Sequence, residues 1–526
     1  MPRTPLFGRL ARLLHAHKAS HRTGIPALEL LDKRRRGFLA SAGVAGAAAV
    51  VASCASGGAK PKPAPKPRAD QPRIAVIGGG LAGLACAWHL HKQALACTVY
   101  EASSRTGGRV QSQTGLLGEG LTTELGGEFI DSGHADVLAL CKELKLELLD
   151  MRADGGVREN AYVFEGRHFS EREVLDALKP LVLRLEADAK LLELEPDAAR
   201  ENPAFRELDV TSLDSYLANI GVTGWLRWLL EVAFVTEYGA DAADQSALNL
   251  LSLLGTDTGA SAWQPFGESD ERFKVLGGNQ RLADELAARL GNAVKTGHEL
   301  ISLAGDGPYR LAFDTNLGTR EAEADVVVLA LPFTTLREVE LGVQLPSAKA
   351  FAIRELGYGR SGKLLLGMKS RPWRTQGFSG GVFSDEAFQL AWDNSRLQWG
   401  KGGASGGPAG ITCFSGGKGT DSLKLGALGQ QVQRMLPALE RVFPGAKDAA
   451  NNRAERVHWP SNIFARCGYA CYRPGQWTNL RGTEGTPVGD LYFAGEHCSL
   501  NWQGYLNGAA ETGRVAAEAI VAKLAE

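Results

Sequence analysis

The sequence predicts an α/β fold in which a doubly wound, Rossmann-like sheet is interleaved with a second, α+β domain. Three observations predict it. A short apolar strand, 73–77, enters a glycine-rich turn, a helical pattern follows over 81–93, and a second strand over 97–101 ends in an acid. Strand, turn, helix and strand units of this kind build parallel sheets. Two later apolar runs, 324–332 and 491–494, predict further buried strands.

The charge and the apolar pattern of the chain argue against a nucleic-acid-binding protein and against a body that spans a membrane. The chain has 526 residues, of which 44% are hydrophobic and 22% charged, and its formal net charge is −1. This length accommodates more than one domain with ample core. So balanced a charge gives no reason to expect a nucleic-acid partner. Outside the N-terminal region, no uninterrupted apolar stretch approaches the roughly 20 residues that span a bilayer.

The N-terminal region has the layout of an export signal. The segment KRRRGFLASAGVAGAAAVVASC, residues 33–54, joins a basic cluster to a weakly hydrophobic stretch that ends in small residues around a cysteine. Its R-R-x-F-L run, which contains Arg35 and Arg36, resembles a twin-arginine signal. The VASC sequence resembles a lipobox, in which Cys54 is the lipidated residue. For the arginine pair alone, an ordinary solvated run of charge is the alternative.

A Pro- and Lys-rich stretch separates this signal from the folded body. We expect residues 1–54 to be the signal and residues 55–72 to be an extended, solvated linker, because the linker has too few apolar residues to fold. The resemblance implies export by the twin-arginine machinery and a periplasmic location, with a lipid anchor in the membrane if Cys54 is modified.

The glycine-rich turn predicts a dinucleotide-binding loop. Gly78, Gly80 and Gly83 form G-x-G-x-x-G directly after the first strand, and Leu81 and Ala82 open the helix. The glycines permit a tight turn and let backbone amides approach a pyrophosphate, which the positive end of the helix dipole stabilises.

The end of the second strand narrows the choice of dinucleotide. Glu101, followed by Ala102, lies 23 positions after Gly78. A carboxylate there accepts hydrogen bonds from an adenosine ribose with free hydroxyls and repels a 2′-phosphate, which leaves NAD or FAD. A solvated glutamate at the end of a strand is the alternative.

The residues after Glu101 carry a resemblance to a known family. Together with Arg105, Gly107, Gly108 and Arg109, it resembles the E-x-x-x-R-x-G-G-R signature of the flavin amine oxidase superfamily. A second glycine turn with a cation reaches the pyrophosphate from its other side. The resemblance therefore implies FAD rather than NAD.

Further motifs resemble the same family and occur in its order. ELGGEFID, residues 124–131, is similar to the family strand that runs beside the flavin. VLGGNQRLADELAARL, residues 275–290, is similar to a helix start of the family. Residues 489–520 are similar to its last strand, flavin-contacting turn and C-terminal helix. The cofactor-binding residues that the resemblance implies in these segments are Gly126, Gly127, Glu128, Gly495, Glu496, Gly504 and Tyr505. Val294, four positions after the second segment, occupies the family position whose backbone meets the adenine.

These motifs divide the chain into two interleaved domains. We expect the FAD-binding domain to comprise residues 73–150, 275–345 and 465–526. The substrate domain of this amine oxidase-type fold comprises residues 151–274 and 346–464, which carry few cofactor motifs.

Lys363 is the candidate catalytic lysine. It begins the apolar run KLLLGM, and YGRSGKLLLGMKSRPW resembles the family segment whose lysine bonds through a water to flavin N5. On the residues alone, a strand-end lysine that reaches solvent is the alternative.

Two aromatic residues are expected to flank the amine. In the family, two rings stand roughly perpendicular to the flavin, and here Tyr469 or Tyr472 supplies the first and Trp502 or Tyr505 the second. We favour Tyr469 and Tyr505, although an aromatic side chain near a glycine turn is often a packing residue. Trp502 is then a substrate contact.

The cysteines predict non-covalent FAD and no metal site. Some members of the family attach the flavin through a cysteine beside the first aromatic residue, but Gly468 immediately precedes Tyr469 and Cys467 lies one position further away. A Cys467 thioether is the alternative. The remaining cysteines are scattered without the spacing of metal ligands.

The position of Glu128 bears on the substrate. Relatives that oxidise L-amino acids hold the substrate carboxylate with an arginine where this chain has Glu128. An acid repels a carboxylate and attracts a cationic amine, so a primary amine or polyamine is favoured over an amino acid. A Glu128 that bonds only to the flavin side of the site or to backbone is the alternative.

The resemblance implies hydride transfer from the substrate α carbon to flavin N5, hydrolysis of the imine to an aldehyde and ammonia, and reduction of O2 to H2O2. Three alternatives within enzymes share the motifs: a dehydrogenase that passes electrons to a periplasmic carrier, an L-amino-acid oxidase and a desaturase. A non-catalytic flavin-binding lipoprotein is the alternative outside enzymes.

Overall fold

A computed structural model describes residues 71–154, 159–253, 270–398 and 406–526. The predicted export signal and lipobox, and the linker as far as residue 70, lie outside the described residues. Within the described ranges no helix is long and apolar enough to cross a membrane.

A parallel sheet of five strands forms the centre of the first half of the molecule. The strand that precedes the glycine loop is the middle strand, and every pairing in the sheet is parallel. All-parallel sheets are buried on both faces, which explains the continuous apolar runs. In spatial order the strands are Leu491–Phe493, Val326–Leu329, Ile74–Ile77, Cys97–Tyr100 and Val294–Lys295.

Both faces of the parallel sheet are covered. Helices Leu81–Lys92, Arg281–Leu290 and Leu506–Ala525 pack on one face, where Val76 and Leu84 are fully buried. A four-stranded sheet covers the other face through side chains such as Leu303 and Phe313. Its strands, in spatial order, are Arg320–Ala324, Tyr309–Asp314, Glu299–Ala304 and Glu340–Gly342.

A mixed sheet of seven strands dominates the other half. Because successive side chains point to opposite faces, Leu390, Trp392 and Phe414 pack into one core, while Ala391 and Cys413 pack into another. In spatial order the strands are Ala450–His458, Ser361–Ser370, Gly406–Gly416, Leu390–Asp393, Phe378–Ser384, Glu159–Phe164 and Arg167–Phe169.

Helices cover both faces of the seven-stranded sheet. Helix Leu428–Val442 packs on one face through Met435 and Leu439. The first helix of the opposite face starts at a capping box in which Ser170 and Glu173 satisfy each other's backbone amides. The helices of that face are Glu171–Ala189, Pro203–Val210, Leu213–Asn219, Gly224–Tyr238 and Ala247–Leu253.

Shorter elements complete the fold. Helices Ala135–Glu143 and Ser347–Glu355 lie beside the parallel sheet. Two small antiparallel ribbons pair Ser112–Thr114 with Thr122–Glu124, and Leu148–Asp150 with Phe273–Val275.

The predicted fold class is confirmed: a doubly wound parallel sheet is interleaved with an α+β unit. The strands of the parallel sheet come from the three stretches assigned to the FAD-binding domain, and those of the seven-stranded sheet from the two assigned to the substrate domain. The exact boundaries of the domains stay a prediction.

Candidate active site

A cavity of about 450 Å³ lies between the parallel sheet and the seven-stranded sheet. On one side it is bounded by the residues that follow strands Ile74–Ile77, Val326–Leu329 and Leu491–Phe493, and on the other by side chains of the seven-stranded sheet. Ligands of open α/β sheets bind outside the carboxyl ends of the strands, and the cavity lies at those ends of the parallel sheet.

Most of the predicted site residues line this cavity, although they come from distant parts of the sequence. Those that line it are Gly78, Gly80, Leu81, Ala82, Glu101, Arg105, Gly108, Arg109, Gly126, Gly127, Glu128, Lys363, Tyr469, Gly495, Glu496, Gly504 and Tyr505. Those outside the lining are Gly83, Ala102, Val294 and Trp502.

The glycine loop has the shape that a phosphate group requires. A Cβ on Gly83 would lie 1.9 Å from the carbonyl oxygen of Gly78, so this glycine serves the packing of helix against strand. A Cβ on Gly80 would meet no protein atom within 4 Å. Gly80 is also the N-cap of helix Leu81–Lys92 and offers no side chain to its first amides. The loop therefore combines open space with free helix amide donors, which suits an anion.

The buried carboxylate of Glu101 shapes the turn that follows the second strand. Its Oε2 accepts from the Gly79 amide at 2.7 Å, and its Oε1 accepts from the amide and hydroxyl of Ser103 at 2.9 and 2.7 Å. The Gly107 amide donates to the Gly79 carbonyl at 2.8 Å, so the two glycine loops lie side by side. Arg105 braces the second loop by donating to the Gly108 carbonyl at 2.6 Å.

Glu496 ties together three segments that contribute to the cavity wall. Its carboxylate accepts from Arg109 at 2.7 Å, from the Gly504 amide at 2.7 Å and from the Ala470 amide at 3.2 Å. Because charge-assisted hydrogen bonds are the strong ones, this carboxylate fixes the second glycine loop against the C-terminal turn.

Lys363 is buried at the start of strand Ser361–Ser370, with only 5% of its surface exposed, so it does not reach solvent. Its ammonium donates to the carbonyls of Glu124 and Gly126 at 3.0 and 2.9 Å and to Oε2 of Glu128 at 3.1 Å. An ammonium has three donors, and all three are used. The lysine is thereby held against the double-glycine strand.

The carboxylate of Glu128 forms ion pairs with two lysines, one at each oxygen. Its Oε1 accepts from Lys274 at 2.6 Å and its Oε2 from Lys363. Burial by itself raises the pKa of Glu128, but the two cations hold it below its ordinary value. We expected the negative charge of Glu128 to repel a substrate carboxylate. The two ion pairs compensate that charge, so Glu128 alone does not select the substrate.

Tyrosines at the predicted positions form part of the cavity wall. Tyr469 donates to the Thr236 carbonyl at 2.9 Å, and Tyr505 packs edge-on against the buried ring of His134 with centroids 5.3 Å apart. Tyr472 lies outside the lining and donates to Glu484 at 2.7 Å. Trp502 packs against the same histidine at 4.8 Å. The geometry favours Tyr469 and Tyr505 over the two alternatives.

Sequence reasoning missed several wall residues and one lysine: Phe129, Trp392, Phe414 and Lys274. Trp392 lies with ring centroids 6.4 Å from Phe129 and 5.6 Å from Phe414. The strand pattern identifies such side chains as buried but gives no sign of which buried face meets a cavity. Of these residues, only Phe129 could have been predicted from the sequence, because it follows Glu128 in the double-glycine motif.

Cys467 is buried outside the cavity lining, whereas its neighbour Gly468 lines it. Its thiol accepts from the Thr334 hydroxyl at 3.5 Å, and burial raises its pKa. No group of three or more metal-ligating side chains occurs in the part of the chain that the structure describes.

Glu124 gives a pH-dependent prediction. Burial raises its pKa to about 7, against the opposing effects of the Ser112 hydroxyl and the Lys274 charge. The folded chain thus holds a proton that the unfolded chain releases near pH 4.5, so stability falls as the pH rises from 4.5 through 7, by up to about 3 kcal/mol. Glu124→Gln should raise Tm relative to the wild type at pH 8 and change it little at pH 5. The exposed Glu119→Gln is the control, and an equal change at both pH values would contradict the prediction.

Comparison with known proteins agrees with this geometry. Residues 81–521 match the protein family described as flavin containing amine oxidoreductase. An L-amino acid dehydrogenase of Synechocystis is 25% identical over 465 residues, 85% of this chain and 94% of the relative. The flavin-containing amine oxidase B of Sus scrofa is 24% identical over 457 residues, 85% of this chain and 86% of the relative. The cyclohexylamine oxidase of Brevibacterium oxydans shares the fold with a TM-score of 0.74 at 22% identity, over 87% of this chain and all of the other.

Proposed function

The chain belongs to the family of flavin-containing amine oxidoreductases, and we propose that this FAD-dependent oxidoreductase oxidises a small amine that carries no carboxylate. The observation that carries the proposal is an aromatic-walled cavity, with Tyr469 and Tyr505 on its wall, that reaches the buried Lys363.

The residues present fit FAD. The glycine loop around Gly80 leaves room where a Cβ would project, so the first helix amides would hold the pyrophosphate, and Glu101 in the cavity lining would accept hydrogen bonds from the ribose. We propose that FAD is held without a covalent bond, because glycine occupies the position next to Tyr469 and Cys467 lies outside the cavity lining. When bound, FAD supplies the hydride acceptor for the carbon that bears the amine nitrogen.

The chain's own residues supply position and exclusion of water. Tyr469 and Tyr505 offer aromatic faces to the neutral amine, and Phe129, Trp392 and Phe414 give the cavity apolar walls. Lys363 fixes a positive charge at the cavity wall, and it would order a water near the reacting atoms by exchanging one of its three protein acceptors for that water. Loss of the hydride from the neutral amine would leave an iminium ion, which water would hydrolyse to an aldehyde and an ammonium ion.

The charges along the cavity favour an amine over an amino acid. The cations among the described lining residues are Arg105, Arg109 and Lys363, and each donates to protein oxygens. Asp131 and Glu271 add carboxylates to the lining. Holding a substrate carboxylate would take Arg109 from the buried Glu496, which would leave that charge unpaired, or take Arg105 or Lys363 from the carbonyl oxygens that they bind.

Oxidation of an L-amino acid is the second candidate. Glu128 is neutralised by two lysines and therefore does not exclude a carboxylate, and one relative is an L-amino acid dehydrogenase.

To test the proposal, the purified holoprotein is mixed anaerobically with primary amines, polyamines and L-amino acids. The absorbance of the visible flavin band is measured in each mixture. We expect amines to bleach the band, with free FAD at equal concentration as the control. We propose O2 as the acceptor, so air should restore the colour and produce H2O2. Bleaching only by L-amino acids would establish the second candidate. A yellow protein that no compound bleaches would favour a desaturase or a flavin-binding lipoprotein.

We also propose that the chain is exported to the periplasm and anchored through Cys54. The support is the sequence of residues 33–54. After cell fractionation, the full chain should be found in the membrane fraction, on the periplasmic side. A chain with both Arg35→Lys and Arg36→Lys should stay in the cytoplasm.

A further inference from the structure

Two lysines from different elements share the carboxylate of Glu128. Lys274 comes from strand Phe273–Val275 and Lys363 from strand Ser361–Ser370, and their ammonium groups lie 2.6 and 3.1 Å from the two carboxylate oxygens. The three side chains are between 3% and 7% exposed. The cluster therefore holds two positive charges and one negative charge in a place that water hardly reaches.

Lys274 does not line the cavity, but it stands behind the part that does. Its ammonium also donates to the Asn394 carbonyl at 3.2 Å and lies 5.0 Å from the centre of the Phe129 ring. Lys363 lies 5.5 Å from the centre of the Trp392 ring. Each lysine thus supports one aromatic wall of the cavity through a cation–π contact.

The segment that carries Lys274 also fixes the backbone of Glu128. Asn279, five residues further on, donates from its side-chain amide to the carbonyls of Gly127 and Glu128 at 3.1 and 2.9 Å. One short stretch of chain therefore holds the Glu128 backbone through Asn279 and the Glu128 carboxylate through Lys274.

The sharing has a direct consequence for Lys363. While Lys274 occupies Oε1, Glu128 offers Lys363 a single oxygen, and the other two donors of Lys363 go to backbone carbonyls. Without Lys274 the carboxylate would rotate and bring both oxygens to Lys363, which would move the ammonium and neutralise its charge more fully.

We propose that Lys274 is a positioning residue for the oxidation: acting through Glu128, it sets the orientation and the uncompensated charge of Lys363 at the cavity wall. The inference deepens the proposed function and rests on it, since Lys363 has a reaction to serve only if that function is correct.

The experiment compares Lys274→Met, Lys274→Arg, Lys363→Met and the double Met variant with the wild-type holoprotein. We expect Lys274→Met to slow anaerobic flavin reduction about tenfold or more while KM changes much less, as for the loss of one coupled contact. Lys274→Arg keeps the cation and should recover most of the rate. The double variant should be no slower than Lys363→Met alone, because Lys274 acts through Lys363.

A second readout does not depend on turnover. Loss of a nearby positive charge makes reduction of a bound flavin less favourable, so dye-coupled reduction should give Lys274→Met a more negative midpoint potential than the wild type. This comparison remains readable if no amine is a substrate, which separates a failure of the proposal from a failure of the proposed function.

Lys349→Met is the matched control, because Lys349 is also a buried lysine with backbone carbonyl partners and an aromatic ring, Phe493, at 3.9 Å, but lies away from the cavity. It should match the wild type in rate and potential even if its Tm falls. The proposal is overturned if Lys274→Met folds, binds FAD and matches the wild type in both readouts, if Lys349→Met shows the same losses, or if the losses of the two single variants multiply in the double variant.

Discussion

Lys363→Met should give a folded, yellow holoprotein whose flavin is reduced by amines between about 100-fold and 1,000-fold more slowly than in the wild type, the range for loss of one charge-stabilising group. The substitution removes the one lysine ammonium that lies in the described lining of the cavity. Stopped-flow reduction under anaerobic conditions measures the effect, and the ratio of FAD to protein shows whether the cofactor stays bound.

The variant should fold because the lost contacts are few. Methionine fills a similar volume, Glu128 keeps its ion pair with Lys274, and the carbonyls of Glu124 and Gly126 each lose one donor. Leaving such groups unsatisfied costs about 1 to 3 kcal/mol each, and backbone carbonyls tolerate it better than amides.

The control lies on the same strand. Lys369 is exposed and makes one long hydrogen bond, to the Asp448 carbonyl at 3.4 Å, so Lys369→Met should reduce its flavin at the wild-type rate. If Lys363→Met also turns over at the wild-type rate, the role assigned to this lysine is wrong.

The sequence could predict the part of the site whose residues lie close together along the chain. Gly78, Gly80 and Glu101 act within one strand, turn, helix and strand unit, so their spacing alone identified the loop, and the structure places all three at the cavity. Gly83 belongs to the same motif but lies outside the lining, because its close contact is with the Gly78 carbonyl. A motif does not distinguish a glycine that a ligand needs from one that packing needs.

The part that sequence could not predict depends on contacts between strands that are far apart along the chain. Lys274 lies 146 residues from Glu128, and nothing in FKVLGG marks its lysine as buried. A charged residue in a short strand normally indicates a solvated face. Only the folded chain shows that two lysines share the Glu128 carboxylate, and this removes what the charge of Glu128 implied about the substrate.

Gly80→Ala should leave the fold intact and weaken FAD binding by about 100-fold, equal to about 2.7 kcal/mol. Gly80 has φ −72° and ψ 178°, a conformation that alanine adopts without strain, and its new Cβ would meet no protein atom within 4 Å. Whatever the methyl group excludes is therefore a ligand of the loop, and a pyrophosphate is the group for which such loops leave room.

Two other glycines make this result specific. Gly83→Ala would place a Cβ 1.9 Å from the Gly78 carbonyl oxygen and should lower Tm sharply, whereas Gly429→Ala, at an exposed position of helix Leu428–Val442 with open space around it, should not lower Tm and should leave FAD affinity unchanged. FAD titration of the apoprotein, followed by flavin fluorescence, gives the affinities. A Gly80→Ala protein that binds FAD as tightly as the wild type would show that the cofactor does not approach this loop. A Gly80→Ala protein that melts like Gly83→Ala would show that the glycine serves the fold instead, so the three variants together separate the space that the protein needs from the space that the cofactor needs.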